Sequence, residues 1–335
     1  MSIHYKVLGA PFHDNALYAT VEPGQSVHRI LFDCGRHCLD SLRNAEIMAI
    51  DQVFFSHYHI DHISGFDTFL RLNYQRETKP VYLWGPEGAI DIIEHRLRGV
   101  TWDLVTDLPG EWYVSEITTD SIHTVLFRTR EAFSRRHQME KRTYESTILR
   151  TDDYRVETAG LQHHVISLAY KIVEAPSQNV DKSRLKNLAI EPGPWLSNLK
   201  DFAKDDTLLI QTNGEEYRLG ELREHLLVAK PGESLVYLTD FIYNEENRET
   251  LLPFLQHCDT MVCESTYAAA HRDLAEENYH LTARQAAQLA REAEVKTLIL
   301  FHLSDRYMDS GRRPLLDEAR EILPETYFPE SWDGQ

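Results

Sequence analysis

Ser56-His57-Tyr58-His59-Ile60-Asp61-His62 follows directly on the apolar run Val53-Phe54-Phe55 and packs four metal-type side chains into six positions. A short apolar run of this kind reads as a buried strand, so the cluster falls where a strand ends and the next helix begins. In the spacing His-x-His-x-Asp-His, imidazoles at i and i+2 point the same way as the chain leaves the strand. The Asp and His that follow can turn toward a second ion. A merely solvated loop is the plain alternative, and three histidines with an aspartate at this density argue against it.

Working outward, Arg29-Ile30-Leu31-Phe32-Asp33-Cys34-Gly35 reads as a strand ending in an acid and a glycine, separated from the cluster by one helix (about 37–48) and one strand. If the two strands are neighbours, Asp33 arrives beneath the histidines and can accept a ring N–H. Alternatively it is a turn-forming Asp before Gly. Upstream, residues 3–9 and 17–22 alternate as strands around the loop Gly9-Ala10-Pro11-Phe12-His13-Asp14-Asn15. Downstream, a helix is expected from Ile63 to Leu72, a strand and turn over Pro80–Pro86, and a helix from Glu87 to Leu97. Strand and helix in alternation indicate a layered α/β domain.

The later chain repeats the design of a strand ending in a polar group. His163 and His164 precede a β-branched run. Ser234–Asp240, Thr260–Thr266 and Thr297–His302 read as buried strands carrying Asp240, Glu264 and His302, with a helix over about Thr282–Ala293. Residues 174–234 change character: Glu174–Asn179 is linker-like, Asp181–Leu188 reads as a short capped helix, and Glu191-Pro192-Gly193-Pro194-Trp195 breaks the pattern. An inserted lobe at 174–231 is expected, with 1–173 and 232–335 as the main domain.

The 335 residues carry a formal net charge of −18, 42% hydrophobic and 26% charged residues. That composition suits a globular protein and excludes a surface that grips nucleic acid everywhere, so any such site must be local. The most basic stretch, Arg128–Arg142, reads as a helix or loop able to hold a phosphate backbone, or as a solvated surface segment. No apolar run approaches the roughly 20 residues of a membrane span, and the start resembles no signal peptide, so a cytoplasmic protein without membrane contact is the expectation. Four cysteines make no disulfide framework; Cys34 and Cys38 could approach on a turn, with buried thiols the plainer reading.

These strand ends share one explanation: each delivers a His, Asp or Glu to the edge of a layered sheet where the loops gather. His57, His59 and one of His163 or His164 would serve one ion, Asp61, His62 and His302 another, with Asp240 between them. This mixed nitrogen and oxygen set suits two divalent ions, Zn²⁺ or Mn²⁺. A bridged pair about 3.5–4 Å apart activates a shared water and stabilises attacking and leaving oxygens, which makes hydrolysis the expected reaction class.

Asp33, the opening cluster, the His163 region, Asp240 and His302 follow in the order of the metallo-β-lactamase superfamily motifs, and the resemblance spans nearly the whole chain. It implies a four-layer αββα sandwich with the small inserted lobe. Within the superfamily the chain is most similar to the ribonuclease Z family, endonucleases that trim the 3′ end of precursor tRNA. That family's third motif has a His seven residues before Tyr, which selects His163 with Tyr170. Cys263-Glu264-Ser265-Thr266, His280-Leu281-Thr282 and Phe301–Tyr307 resemble its later motifs.

The resemblance implies that Asp61 is ligand and general base, that His280 polarised by Glu264 donates a proton to the leaving 3′ oxygen, and that Arg306 pairs with the scissile phosphate. Without it, Glu264 and His280 read as a capping residue and a loop histidine. It also implies precursor tRNA as partner and a homodimer, and makes 174–204, with Gly193-Pro194-Trp195, a compact version of the family's tRNA-clamping arm. The chain departs from the family pattern at Pro11-Phe12-His13-Asp14-Asn15, which lacks two cations, and at Thr239-Asp240-Phe241 and Cys263. These departures leave room for a small phosphodiester, such as a cyclic nucleotide, as substrate. A non-catalytic RNA-binding protein keeping only the fold is the remaining alternative.

Overall fold

The computed structural model describes residues 3–23, 26–187 and 190–333. The chain divides into two compact units, Met1–Glu174 with Glu233–Gln335, and Ala175–Gly232.

In the larger unit eight strands form one sheet in sequence order: β1 (Ile3–Leu8), β2 (Ala16–Val21), β3 (His28–Phe32), β4 (Gln52–Phe54), β5 (Val81–Pro86), β6 (Glu111–Ile117), β7 (Ser121–Arg128) and β8 (His137–Thr143). The centre, β3 to β6, is parallel, and both flanks are antiparallel. The second sheet starts with β9 (Thr147–Arg150), β10 (Tyr154–Gln162) and β11 (Ile166–Glu174).

The chain then builds the smaller unit. There β12 (Ser177–Val180) pairs with β15 (Leu227–Lys230), and β13 (Leu209–Thr212) with β14 (Glu215–Arg218) across Asn213-Gly214, both left-handed as such a two-residue turn requires. Leu185, Ile190, Leu199, Leu219, Leu222 and Leu226 make its own core. Its first helix, Lys182–Asn187, is capped by Asp181, whose Oδ1 accepts from the Ser183 and Arg184 N–H groups. Leu188, the expected end of that helix, lies outside the described residues.

Returning to the second sheet, β16 (Ser234–Leu238), β17 (Thr260–Glu264), β18 (Thr297–Phe301) and β19 (Thr326–Tyr327) give the order β19-β18-β17-β16-β11-β10-β9. The strands β16 to β19 are parallel, as intervening helices permit. Phe32 and Phe54 of the first sheet meet Tyr170 and Tyr237 of the second between the two sheets, with ring centroids 5.1–5.6 Å apart, and Trp84 stacks on Phe54 at 5.9 Å. Helices Phe66–Asn73 and Ala89–Arg98 cover the outer face of the first sheet, and Ala283–Glu292 and Arg313–Arg320 that of the second. The architecture is therefore the four-layer αββα sandwich.

Three local expectations are corrected. The single helix over 37–48 is a 3₁₀ turn, Cys38–Ser41, and a helix, Asn44–Met48, because Leu42 and Arg43 are extended and the Arg43 N–H bonds Glu46. The helix over 63–72 is preceded by a one-turn helix, Ile60–Ile63, inside the histidine cluster itself. The basic stretch 128–142 is neither helix nor loop throughout: it is a 3₁₀ turn followed by the edge strand β8. Half of its cations are committed, Arg128 to Glu111 and Glu131, Arg136 to Asp91 and Glu94, and Arg142 to the Ile148 carbonyl. Arg130, Arg135 and Lys141 are exposed.

Candidate metal centre

Parallel strands deliver the site. Asp33 follows β3, the His57–His62 loop follows β4, Asp240 and His302 follow β16 and β18, and Glu264 ends β17. His163 comes from the β10–β11 hairpin. Asp33, Asp240 and His302 all take left-handed φ, at 57°, 48° and 55°, turning each side chain inward at the strand end. Such strain in non-glycine residues is sustained only where the surroundings fix it.

Two donor groups result: His57, His59, His163 and Asp240, and Asp61, His62, Asp240 and His302, the atoms of each group lying within 4.8 Å of one another. Asp240 belongs to both. Its Oδ2 stands 3.7 Å from His57 Nε2, 3.9 Å from His163 Nε2 and 3.4 Å from His62 Nε2, while Oδ1 is 3.5 Å from His302 Nε2. Asp61 Oδ2 lies 3.3 Å from His62 Nε2 and 3.5 Å from His302 Nε2.

The supporting hydrogen bonds fix which ring nitrogen faces inward. Asp33 accepts from the Ser56 N–H and hydroxyl (2.7 Å each), from His62 Nδ1 (2.8 Å) and from the Tyr237 hydroxyl (2.8 Å). Because the Ser56 hydroxyl spends its proton on Asp33, it can only accept from His57 Nδ1, at 3.0 Å. A carbonyl can only accept, so His163 Nδ1 donates to Tyr279 O at 3.0 Å. In the neutral form all three rings carry their proton on Nδ1 and turn Nε2 into the site, the arrangement in which outer partners orient metal-binding imidazoles.

Asp33 thus sits beneath the histidines rather than merely forming a turn. His164, by contrast, is exposed and joins no donor group.

The donors fit divalent cations on two counts. His57 Nε2 and His62 Nε2 are buried and make no hydrogen bond among the described residues, a costly arrangement for polar atoms with no further use. Burial, with neighbouring rings, pushes His57 down to about 2 and His163 down to about 4, which keeps both neutral as ligands must be. Burial also works against charge at Asp240 and His62. Yet His302, His62 and His280 hold Asp240 well below the usual carboxylate range, and Asp240 with Asp33 raises His62 well above its own. The field that draws a proton onto His62 is one that would also attract a metal cation.

Beside the second group, His280 Nδ1 donates to Glu264 at 3.1 Å, and Thr266 Oγ1 donates to the same carboxylate at 2.7 Å while touching His302 Nδ1 at 3.2 Å. Glu264, His280 and His302 form a third cluster of donor type. Burial opposes a charge on His280, but Glu264 and Asp240 bring it up to about 9. Arg306 lies in an exposed 3₁₀ turn after β18, and its guanidinium makes no ion pair among the described residues.

Ser56, Thr266, Tyr237, Tyr279 and Asn15 went unrecognised in the sequence. Asn15 Nδ2 holds the Leu8 and Ala10 carbonyls, and its Oδ1 accepts the His302 N–H at 3.3 Å. Ser56 and Thr266 had a signal, their places in the cluster and in Cys263-Glu264-Ser265-Thr266; Tyr237, Tyr279 and Asn15 reach the site through partners far along the chain.

Fold and site together define a metal-dependent hydrolase of the metallo-β-lactamase fold. The metallo-beta-lactamase fold protein YhfI from Bacillus subtilis superposes with a TM-score of 0.55 at 15% identity, over 97% of this chain and 95% of its own. Human tRNase Z, short form, does so at 0.54 and 17%, over 91% and 94%. A family model described as anti-Pycsar protein Apyc1 matches residues 8–172. Ribonuclease Z of Deinococcus radiodurans is 40% identical over 326 residues, 97% of either chain, and that of Bacillus cereus 31% identical over 321 residues, 93% of this chain and 89% of its own. The chain belongs to the ribonuclease Z family. Among the described residues no helix is long and apolar enough to cross a membrane.

Proposed function

We propose that this protein is an endoribonuclease that trims the 3′ end of precursor tRNA. What carries the reading is the Glu264–His280 pair: it sets a protonated imidazole beside the two donor groups, in a chain 40% identical to a ribonuclease Z along its length.

His57, His59, His163 and Asp240 would hold one ion and Asp61, His62, Asp240 and His302 the other, with Zn²⁺ favoured by the nitrogen-rich set and Mn²⁺ the alternative. When bound, the pair supplies Lewis acidity toward a phosphoryl oxygen and acidifies water. Asp61, its side chain 37% exposed, is the most accessible of the inner carboxylates. Although partly buried, it is kept ionised by His302 and His62, which leaves it unprotonated to receive a proton of the attacking water while lowering its basicity. His280, its charge favoured by Glu264 at Nδ1, gives its other ring proton to the departing 3′ oxygen and regains one from solvent. Arg306, exposed and without an ion pair among the described residues, would meet the scissile phosphate.

The free cysteines, all buried, suit a reducing cytoplasm. Family likeness supports a homodimer, and supports reading residues 174–231 as a shortened arm for tRNA.

The second reading, a phosphodiesterase for small esters such as cyclic nucleotides, is favoured by the loop at 11–15, where Asp14 stands in place of cations and bonds the Arg36 N–H at 2.8 Å. Metal-loaded protein incubated with a 3′-extended precursor tRNA, a cyclic nucleotide and a simple phosphodiester separates the two. Cleavage of the small esters with precursor tRNA left intact would sink the first reading. Turnover of none of them would leave a binding protein that keeps only the fold.

A further inference from the structure

Helix Arg272–Glu277 ends at Asn278, and the next residue, Tyr279, takes φ 57°. The left-handed position after a helix ordinarily falls to glycine or asparagine, because a Cβ there crowds the following carbonyl. The backbone of Tyr279 does what any residue could do: its N–H approaches Glu276 O at 3.4 Å, and its carbonyl accepts from His163 Nδ1 at 3.0 Å. Glycine would serve both without strain, so the reason for tyrosine lies in the ring.

That ring lies 4.5 Å from His164, tilted by 44°, and 6.4 Å from His163. His164 stands exposed at the tip of the β10–β11 hairpin, followed by Val165 and Ile166, each 48% exposed. An aromatic pair with an apolar border therefore stands at the rim of the metal centre, adjoining His280 in the chain on one side and His163 on the other.

We infer that Tyr279 and His164 form a stacking platform for the nucleobase of the nucleotide whose 3′ oxygen leaves. The inference rests on the ribonuclease reading. The side of the cut follows from the chain: Tyr279 precedes His280, and the sugar that receives the His280 proton carries the base in question. Because every base has a π-face, such a platform grips without reading sequence, which suits RNA ends that vary.

The test compares Tyr279→Gly, Tyr279→Phe and His164→Ala with wild type, each checked for metal content. Substrates are a precursor tRNA, the same RNA abasic at the residue 5′ to the cut, and methyl 4-nitrophenyl phosphate. Tyr279→Gly is expected to raise KM for the intact RNA about tenfold with kcat within about twofold, within the range that loss of one base stack spans. Tyr279→Phe should restore wild-type KM, and His164→Ala should fall between. On the abasic RNA wild type and Tyr279→Gly should converge. An unchanged KM for Tyr279→Gly, an equal loss on abasic RNA or the methyl ester, or a fall in its metal content overturns the platform alone. Wild type that hydrolyses the ester and leaves both RNAs uncut overturns the ribonuclease reading and the platform with it.

Discussion

The two donor groups share Asp240 but are built from opposite chemistry. The group of His57, His59 and His163 is nitrogen-rich; a hydroxyl orients His57, a backbone carbonyl orients His163, and burial keeps both neutral. The group of Asp61, His62 and His302 is richer in carboxylate, with Asp33 directly behind His62 and Glu264 reaching His302 through Thr266. The difference assigns work: the first group offers a firm, neutral seat for a cation, whereas the second concentrates the negative field and the acid and base. Both proton-handling residues proposed, Asp61 and His280, stand on the second side.

Asp240→Ala breaks the comparison at its centre, since it removes the oxygen common to both groups. Elemental analysis should find neither ion retained, and phosphodiester cleavage should fall on the order of 10⁴-fold or more, as when one member of a unit that acts together is lost. A variant holding two ions would show that the carboxylate is not shared.

His280→Ala spares both groups and should cost about 10²–10⁴-fold in kcat, the scale of general acid catalysis, with two ions still bound. Lost metal would make His280 a ligand instead.

Asp33→Asn and Ser56→Ala test the outer support, for which a cost of about 10–100-fold in metal affinity is usual. Asp33 reaches His62 directly and His57 through Ser56, so Asp33→Asn should weaken both binding steps in a Zn²⁺ titration of the apoprotein. Ser56→Ala removes the acceptor of His57 but leaves the Asp33–His62 bond in place, so it should weaken one step more than the other. Equal effects of the two variants would dissolve the distinction between the groups.

The smallest effect expected is on folding. A Cβ at Gly65 would meet the Gly35 carbonyl at 2.2 Å, where the Gly65 N–H bonds Cys34 and the Cys34 N–H bonds His62. Gly65→Ala should lower stability by about 1–3 kcal/mol in urea unfolding, and should disturb the carboxylate-rich group more than the other.

How legible the site was in sequence follows the distance over which each residue acts. His57, His59, Asp61 and His62 announced themselves because one loop carries them. Asp240 and His302 were readable as polar residues closing apolar runs. Asp33 stood open between turn and support until the parallel pairing of β3 with β4 brought it beneath the cluster. Only the resemblance to the family's third motif, with its His seven residues before Tyr, separated His163 from His164; the Tyr170 hydroxyl bonds Phe55 O at 2.8 Å, tying that motif to the opening run.

Tyr237 and Asn15 left no trace. Their partners lie 204 and 287 residues away, and an alternating strand gives no hint that one of its tyrosines is a donor to an acid. The basic stretch misled for a related reason: local charge hid the edge-strand pairing of β8 with β7, and half the cations were already spoken for.

The 241 residues between Asp61 and His302 also set a timetable for synthesis. At about 5–20 residues per second a ribosome needs roughly 12–50 s to travel that interval. For all that time the nascent chain carries half a chelating site, able to capture a stray cation but without the closing histidine. Assembly of the second group is therefore a late event, and truncations upstream of β18 are expected to be inactive outright rather than partly active.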